Sequence, residues 1–424
     1  MDKILQKLNL IFSDKTLRNR ILFILGALIL FRILAAIPIP GVDSSRLQNF
    51  LSNNQFLGIL NIFSGGGLSS LSIIMLGVGP YITSSIIMQL LTIMSPRLKA
   101  MYQEDGELGR KKFTQISRFL TVPLAFIQGI TFMMLLQKQG IIVDVTLFDK
   151  FLNVLVITAG SVLLMWIGEL MSEFGIGNGI SIIIFAGIVA SIPTQISQFL
   201  FTFDIAKLPV YLLFLGISIL IVAGVVIINE AERPIPITYA RQIRGRNASS
   251  GGTKTYLPLR VNQAGVMPII FALSIMLFPQ LIGNALAGAS SGFLQAISGF
   301  FLWIVETTWL YAILYFVFVF LFTFFYTSVI FDPNKTSENL QKNGAFIPGI
   351  RPGSNTREYI SKILNRVTLM GAVFLGLIAV IPIAMQSVTG SSTFAVGGTA
   401  LLIVVSVVLD VIKKVEAQLS MREY

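Results

Sequence analysis

Asn61-Ile62-Phe63-Ser64-Gly65-Gly66-Gly67-Leu68-Ser69-Ser70 runs straight into the apolar stretch Leu71–Met94, which itself carries Gly77, Gly79 and Pro80. The leading run is too polar and too rich in glycine to face lipid. Irregular backbone at membrane depth survives only inside protein or beside a water-filled cavity. The run is therefore either an external loop or a re-entrant segment. Its small residues favour a re-entrant segment that can move.

The rest of the chain supplies the membrane. Of 424 residues, 54% are hydrophobic and only 12% are charged, too few to cover a soluble surface. There is no cysteine and no histidine, which excludes disulfide frameworks, Cys/His metal sites and Ser-His or Cys-His nucleophiles. A crossing helix needs about 20 mainly apolar residues. Such stretches occur at Ile21–Ile37, Leu71–Met94, Phe119–Leu136, Phe151–Ile167 and Ile176–Ile192. Five more follow at Val210–Ile228, Ala264–Ile282, Leu310–Ile330, Val367–Met385 and Phe394–Val411. Ahead of the first, Met1–Phe12 has the pattern of a short amphipathic helix lying on the membrane. The first span is too long, and its Pro38-Ile39-Pro40-Gly41 exit too bulky, for a cleaved signal peptide.

Of the 31 Lys and Arg, 26 fall in residues 1–20, the loops 95–118, 229–262 and 331–366, and the C-terminus. The opposite loops hold Arg46, Lys138, Lys150 and Lys207, and Arg32 lies within a span. This asymmetry predicts both termini in the cytosol. Ten spans divide into halves at 21–205 and 206–412, flanked by the segment 1–20 and the tail 413–424. Five spans per half make any structural repeat an inverted one. The second span of each half is the one broken by Gly and Pro: Gly77, Gly79 and Pro80, then Gly265, Pro268 and Pro279. Paired broken helices point to a path between the halves, although Gly and Pro are also simply common in membrane helices.

Within the spans the ionisable groups are Arg32 and Asp410. Ion-coupled transporters usually bury carboxylates for the coupling ion, so an apolar constriction that gates by shedding water is expected instead. The loops 229–262 and 331–366 are long, punctuated by Pro and Gly, and each carries six Lys/Arg, against two and three Asp/Glu. They suit RNA phosphates, acidic protein surfaces or anionic headgroups. Gly175-Ile176-Gly177-Asn178-Gly179 joins two spans with no preceding strand, so it does not read as a nucleotide loop.

The chain resembles the SecY family of protein-conducting channels from about Arg20 onward. The matching stretches include Arg32-Ile33 through Pro38-Ile39-Pro40-Gly41, Phe63-Ser64-Gly65-Gly66, and Gly175 through Gly187. Further matches are Leu257-Pro258-Leu259-Arg260-Val261-Asn262, Gly344 through Gly353, and Gly397-Gly398-Thr399. The resemblance implies an all-α polytopic membrane protein with ten transmembrane helices. Its two inverted five-helix halves would form an hourglass pore that opens sideways between the second/third and seventh/eighth helices. It places a pore ring on Val78, Ile82, Ile184, Ile270 and Ile403, with Val78 standing where many relatives have Ile. It places a plug on Ile62, Phe63, Ser64, Gly65, Gly66, Gly67, Leu68, Ser69, Ser70 and Leu71. Gln89, Thr92 and Asn262 match the lateral gate.

Arg246 and Arg351 match arginines that such channels use to engage the ribosome or the motor ATPase SecA. Asn247 stands where some relatives carry a second arginine. The implied partners are SecE, SecG, SecA, the ribosome, membrane lipids and signal-peptide-bearing unfolded polypeptides, in the plasma (inner) membrane. No cofactor, metal or catalytic residue is expected. With no GxxxxGK[ST] run, the chain is expected to be a passive pore driven by a cytosolic motor or the ribosome. The alternative is an ion-coupled secondary transporter with inverted repeats.

Overall fold

Each of the ten apolar stretches falls largely on a helix. In the computed structural model the described residues are 14–39, 61, 64, 66–68, 70–138, 140–141, 146–201, 205, 208–239, 254–286, 291–389 and 392–420. The expected surface helix at Met1–Phe12, the plug residues Ile62, Phe63, Gly65 and Ser69, and Arg246 with Asn247 lie outside them.

The first half comprises α1 (Lys15–Ala36), α2 (Gly79–Met94), a short α3 (Pro96–Gln103), α4 (Gly106–Lys138), α5 (Leu147–Phe174) and α6 (Gly179–Phe201). Then come α7 (Leu208–Glu230), β1 (Glu232–Tyr239), β2 (Lys254–Arg260), α8 (Met267–Leu286), α9 (Gly292–Glu306) and α10 (Thr308–Ile330). The chain continues through α11 (Pro333–Lys342), β3 (Ala345–Phe346), α12 (Ser354–Thr389) and α13 (Ser392–Ser420). Seven of these helices are long and apolar enough to cross a membrane. The exposed faces fit that environment: Leu212, Leu213, Leu215, Ile219, Leu220 and Ile227 of α7 are all exposed, an apolar face that lipid accommodates.

Three local features differ from the sequence expectation. The second span is not one helix from Leu71. Residues 71–78 form successive turns, with Leu71 at φ +41° and Gly77 at φ +58°, and α2 starts only at Gly79 with Pro80 in its first turn. The apolar helix α9 occupies what reads as a connector. At 15 residues it is too short to cross and packs on α8, with Ser298 Oγ donating to the Gly283 carbonyl at 2.7 Å. The two long loops also share one three-stranded sheet of order β2-β1-β3, with β1 antiparallel to both neighbours. Ile235, Ile237, Leu259, Leu340, Ala345, Ile347 and Ile360 form its core, so the loops make one body.

The Gly175–Gly179 motif is a tight turn between α5 and α6. Gly177 takes φ +89°. Asn178 Oδ1 accepts from the backbone N–H of Ile180 at 3.1 Å, capping α6. Ser172 Oγ donates to the Gly168 carbonyl and accepts from the Gly179 N–H at 2.8 Å. A Cβ on Gly179 would stand 2.0 Å from the Gly168 carbonyl oxygen, a backbone atom that cannot yield cheaply. Gly179→Val is therefore expected to destabilise the protein by about 3 kcal/mol, the upper range for overpacking, seen as a lower midpoint in a thermal unfolding assay in detergent. An unchanged midpoint would show that the two helices are not this close.

Candidate pore and loop face

The apolar candidates converge. Val78 is the N-cap residue of α2 and Ile82 lies in its first turn; Ile184 is on α6, Ile270 on α8 and Ile403 on α13. All five are at most 5% exposed and belong to one hydrophobic cluster, together with Ile74, Ile86, Phe271 and Ala400. Two sequence-distant halves thus contribute to the same dry contact. Val78 and Ile82 stand one helical turn apart, the Ile82 N–H donating to the Val78 carbonyl at 3.0 Å, so both face the same cluster.

On the side of loop 95–118 this cluster is capped by a cavity of about 480 Å³. Ile82, Ile184 and Ile270 form its floor, and Gln89, Tyr102, Ser117, Glu173 and Asn178 are among its polar walls. Arg118 Nε pairs with Glu169 Oε1 at 2.7 Å in the same wall. This ion pair is hidden in the sequence because both residues fall just outside the apolar runs. The available signal was one residue of each charge abutting neighbouring spans.

The described part of the plug candidate folds as turns. Gly66 N–H donates to the Asn61 carbonyl at 2.9 Å, Ser72 N–H to Gly67 at 2.8 Å, and Leu68 N–H to Ser64 Oγ at 3.0 Å. Ser70 Oγ donates to the Ala35 carbonyl at the end of α1 at 2.8 Å. Leu68 and Leu71 pack with Ile39, Phe132, Met133, Leu136 and Val154, a cluster distinct from that of the ring candidates. Ile73 touches both clusters. The Arg32 guanidinium lies beside this turn, 3.8 Å from where a Gly66 Cβ would stand.

The gate candidates are buried, and the hydrogen bonds given for Asn262 go to neither Gln89 nor Thr92. Gln89 Nε2 donates to Ser85 Oγ at 3.2 Å, and Thr92 Oγ1 to the Gln89 carbonyl at 2.6 Å, both within α2. Asn262 Nδ2 donates to Asn229 Oδ1 at 2.7 Å and to the Gly265 carbonyl at 3.1 Å. Lys413 Nζ reaches the Asn229 carbonyl at 2.7 Å and Glu230 at 3.0 Å, tying α13 to the end of α7. The helices behind these residues do meet: α8 packs against both α2 and α4.

Arg351 is exposed in the turn after β3, between Gly349 at φ +83° and Gly353 at φ +102°. Thr356 Oγ1 donates to the Arg351 carbonyl at 3.0 Å. The turn therefore fixes the backbone and leaves the guanidinium outside.

Residues 72–412 match the family model described as SecY. The chain is 39% identical to the protein translocase subunit SecY of Streptomyces scabiei over 97% of both sequences. Its fold is similar to a solved SecY protein studied for a plug domain that stabilises the closed channel, with TM-score 0.66 and 20% identity over 95% of this chain and 93% of that one. It is also similar to Sec61 in the canine ribosome-channel complex, with TM-score 0.62 and 20% identity over the same shares.

Proposed function

The chain belongs to the SecY family, and from that premise we propose that Val78, Ile82, Ile184, Ile270 and Ile403 form the constriction of its pore. The protein is a multi-pass membrane protein and a protein-conducting channel. The observation that carries the proposal is the meeting of five apolar side chains, from four helices in both halves, beneath a polar-walled cavity. An apolar ring excludes water and ions at rest by dewetting, yet holds no specific group, so a chain of any sequence can pass. The ion-coupled transporter is the weaker reading.

The finer assignments follow the same frame. Residues 62–71 act as the plug, and Gln89, Thr92 and Asn262 line a lateral gate between α2/α4 and α8/α10. The halves are 21–205 and 206–412, with the segment 1–20 and the tail 413–424 in the cytosol. The 26 Lys and Arg of one set of loops support both termini facing the cytosol across a plasma membrane. Arg246 and Arg351 meet SecA or the ribosome, a partner that the canine relative binds. SecE and SecG complete the assembly.

Proteoliposomes holding the chain with SecE and SecG, supplied with SecA, ATP and an unfolded signal-peptide-bearing precursor, are expected to make that precursor protease-resistant. Protection no greater than in liposomes lacking the chain would remove the reading. Uptake that follows an ion gradient without the motor would favour a transporter.

A further inference from the structure

Lys335 occupies a position that its own helix disfavours. It is the third residue of α11, whose N-cap Asp332 accepts from the Asn334 N–H at 2.8 Å. At that place a capping box would carry Glu or Gln, and a cation in the first turn opposes the helix dipole. A residue that breaks a local rule needs its compensation elsewhere. The compensation lies in the other half of the molecule: Lys335 Nζ donates to the backbone carbonyl of Gln103, the last residue of α3. That carbonyl is one of the orphan acceptors at a helix C-terminus, where a cation is favoured. Both residues are half-buried, so water competes less than at an open surface.

The location gives this contact its meaning. The short helix α3 joins α2 to α4, and Lys335 follows directly on α10. The bond thus ties the α2/α4 pair to the α8/α10 pair at their cytosolic ends. Aromatic rings from both sides gather at the same end of the seam: Tyr102 with Phe113 at 4.9 Å, and Phe271 with Tyr326 at 5.6 Å, all four lining one cavity. We infer that Lys335 is a positioning residue, a clasp whose bond to the Gln103 carbonyl holds the lateral seam closed and raises the hydrophobicity a segment needs to leave sideways. The inference rests on the reading that segments leave between these helix pairs. Because the acceptor is a main-chain oxygen, the contact depends on the side chain at 335 and not on the one at 103.

That asymmetry supplies the test. The chain has no cysteine, so Lys99→Cys and Asn339→Cys place one spin label on each side of the seam without background. In the assembled channel in nanodiscs without substrate, Lys335→Met is expected to increase the long-distance population about fivefold, because a bond to a charged donor is lost. Lys335→Arg should stay near the parent, since a guanidinium can also reach a carbonyl, and Gln103→Ala should leave the distribution unchanged. In parallel, Lys335→Met should raise membrane insertion of a marginally apolar test segment about fivefold. An unchanged distance distribution in Lys335→Met overturns the clasp, as does Gln103→Ala widening the seam equally. A widened seam with insertion at the parent level upholds the contact as the tie between the helix pairs and overturns its role in lateral release.

Discussion

Replacing Ile82 and Ile184 together with serine is expected to raise the ion conductance of the resting channel on the order of tenfold in a planar bilayer. Both side chains are at most 5% exposed in the cluster that brings α2, α6, α8 and α13 together. Burying an isoleucine contributes about 1.5–3 kcal/mol, and serine gives most of that up while adding a hydroxyl that recruits water. Two ring positions, one on α2 and one on α6, are lost at once, so the remaining Val78, Ile270 and Ile403 cannot close a dry annulus. The protein should still fold, because the change touches two residues of a cluster that includes more than thirty buried ones. A purified double variant with unchanged conductance would remove these residues from the constriction.

The second large effect is expected at Arg351, in the turn between β3 and α12. Arg351→Glu should weaken binding of SecA or the ribosome at least about tenfold, roughly 1.4 kcal/mol, while expression and membrane insertion stay normal. Arg351→Lys should lose part of that, because a planar guanidinium pairs with carboxylate or phosphate through two parallel bonds and an ammonium cannot. The stiff Gly349–Gly353 turn makes the distinction measurable, since it presents the side chain in one place. Attraction to headgroups would behave differently: lysine would serve nearly as well, and both variants would converge at high salt. Binding measured at two salt concentrations separates the cases. Equal affinity of the parent and the lysine variant would remove the bidentate contact, and undiminished binding by the glutamate variant would remove the site.

Much of this architecture is written in the order of apolar runs and breaks. Gly77, Gly79 and Pro80 mark where α2 begins, because Gly77 takes a positive φ and proline is favoured in the first turn of a helix. The same logic marks Gly265, at φ +62° just before α8, so both second spans start late after turns. Other features depend on distant partners. β1 contains Pro234 and Pro236, residues that argue against a strand, and only its pairing with β2 and β3 and the inward alternation of Ile235 and Ile237 make it one. The union of the loops 229–262 and 331–366 in one sheet is a long-range event with no local signature. The helix α9 hides behind the Gly/Ser-rich run before it and is too short for a span-length search. Among site candidates, the ring residues look like any other isoleucines in a span; family motifs picked them out, and the tertiary cluster unites them. Lys335 was legible only as a charge in a basic loop until its acceptor was known.

The central claim is that a translocating chain passes through the Val78–Ile82–Ile184–Ile270–Ile403 ring. The most direct measurement places a photo-crosslinking residue at Ile270 or, as the comparison, at lipid-facing Leu212, and arrests a precursor midway in the assembled channel with SecA and ATP. The account predicts crosslinks from position 270 to the arrested chain along the stretch that spans the membrane, and none from position 212. Crosslinks from 212 with none from 270 would contradict it.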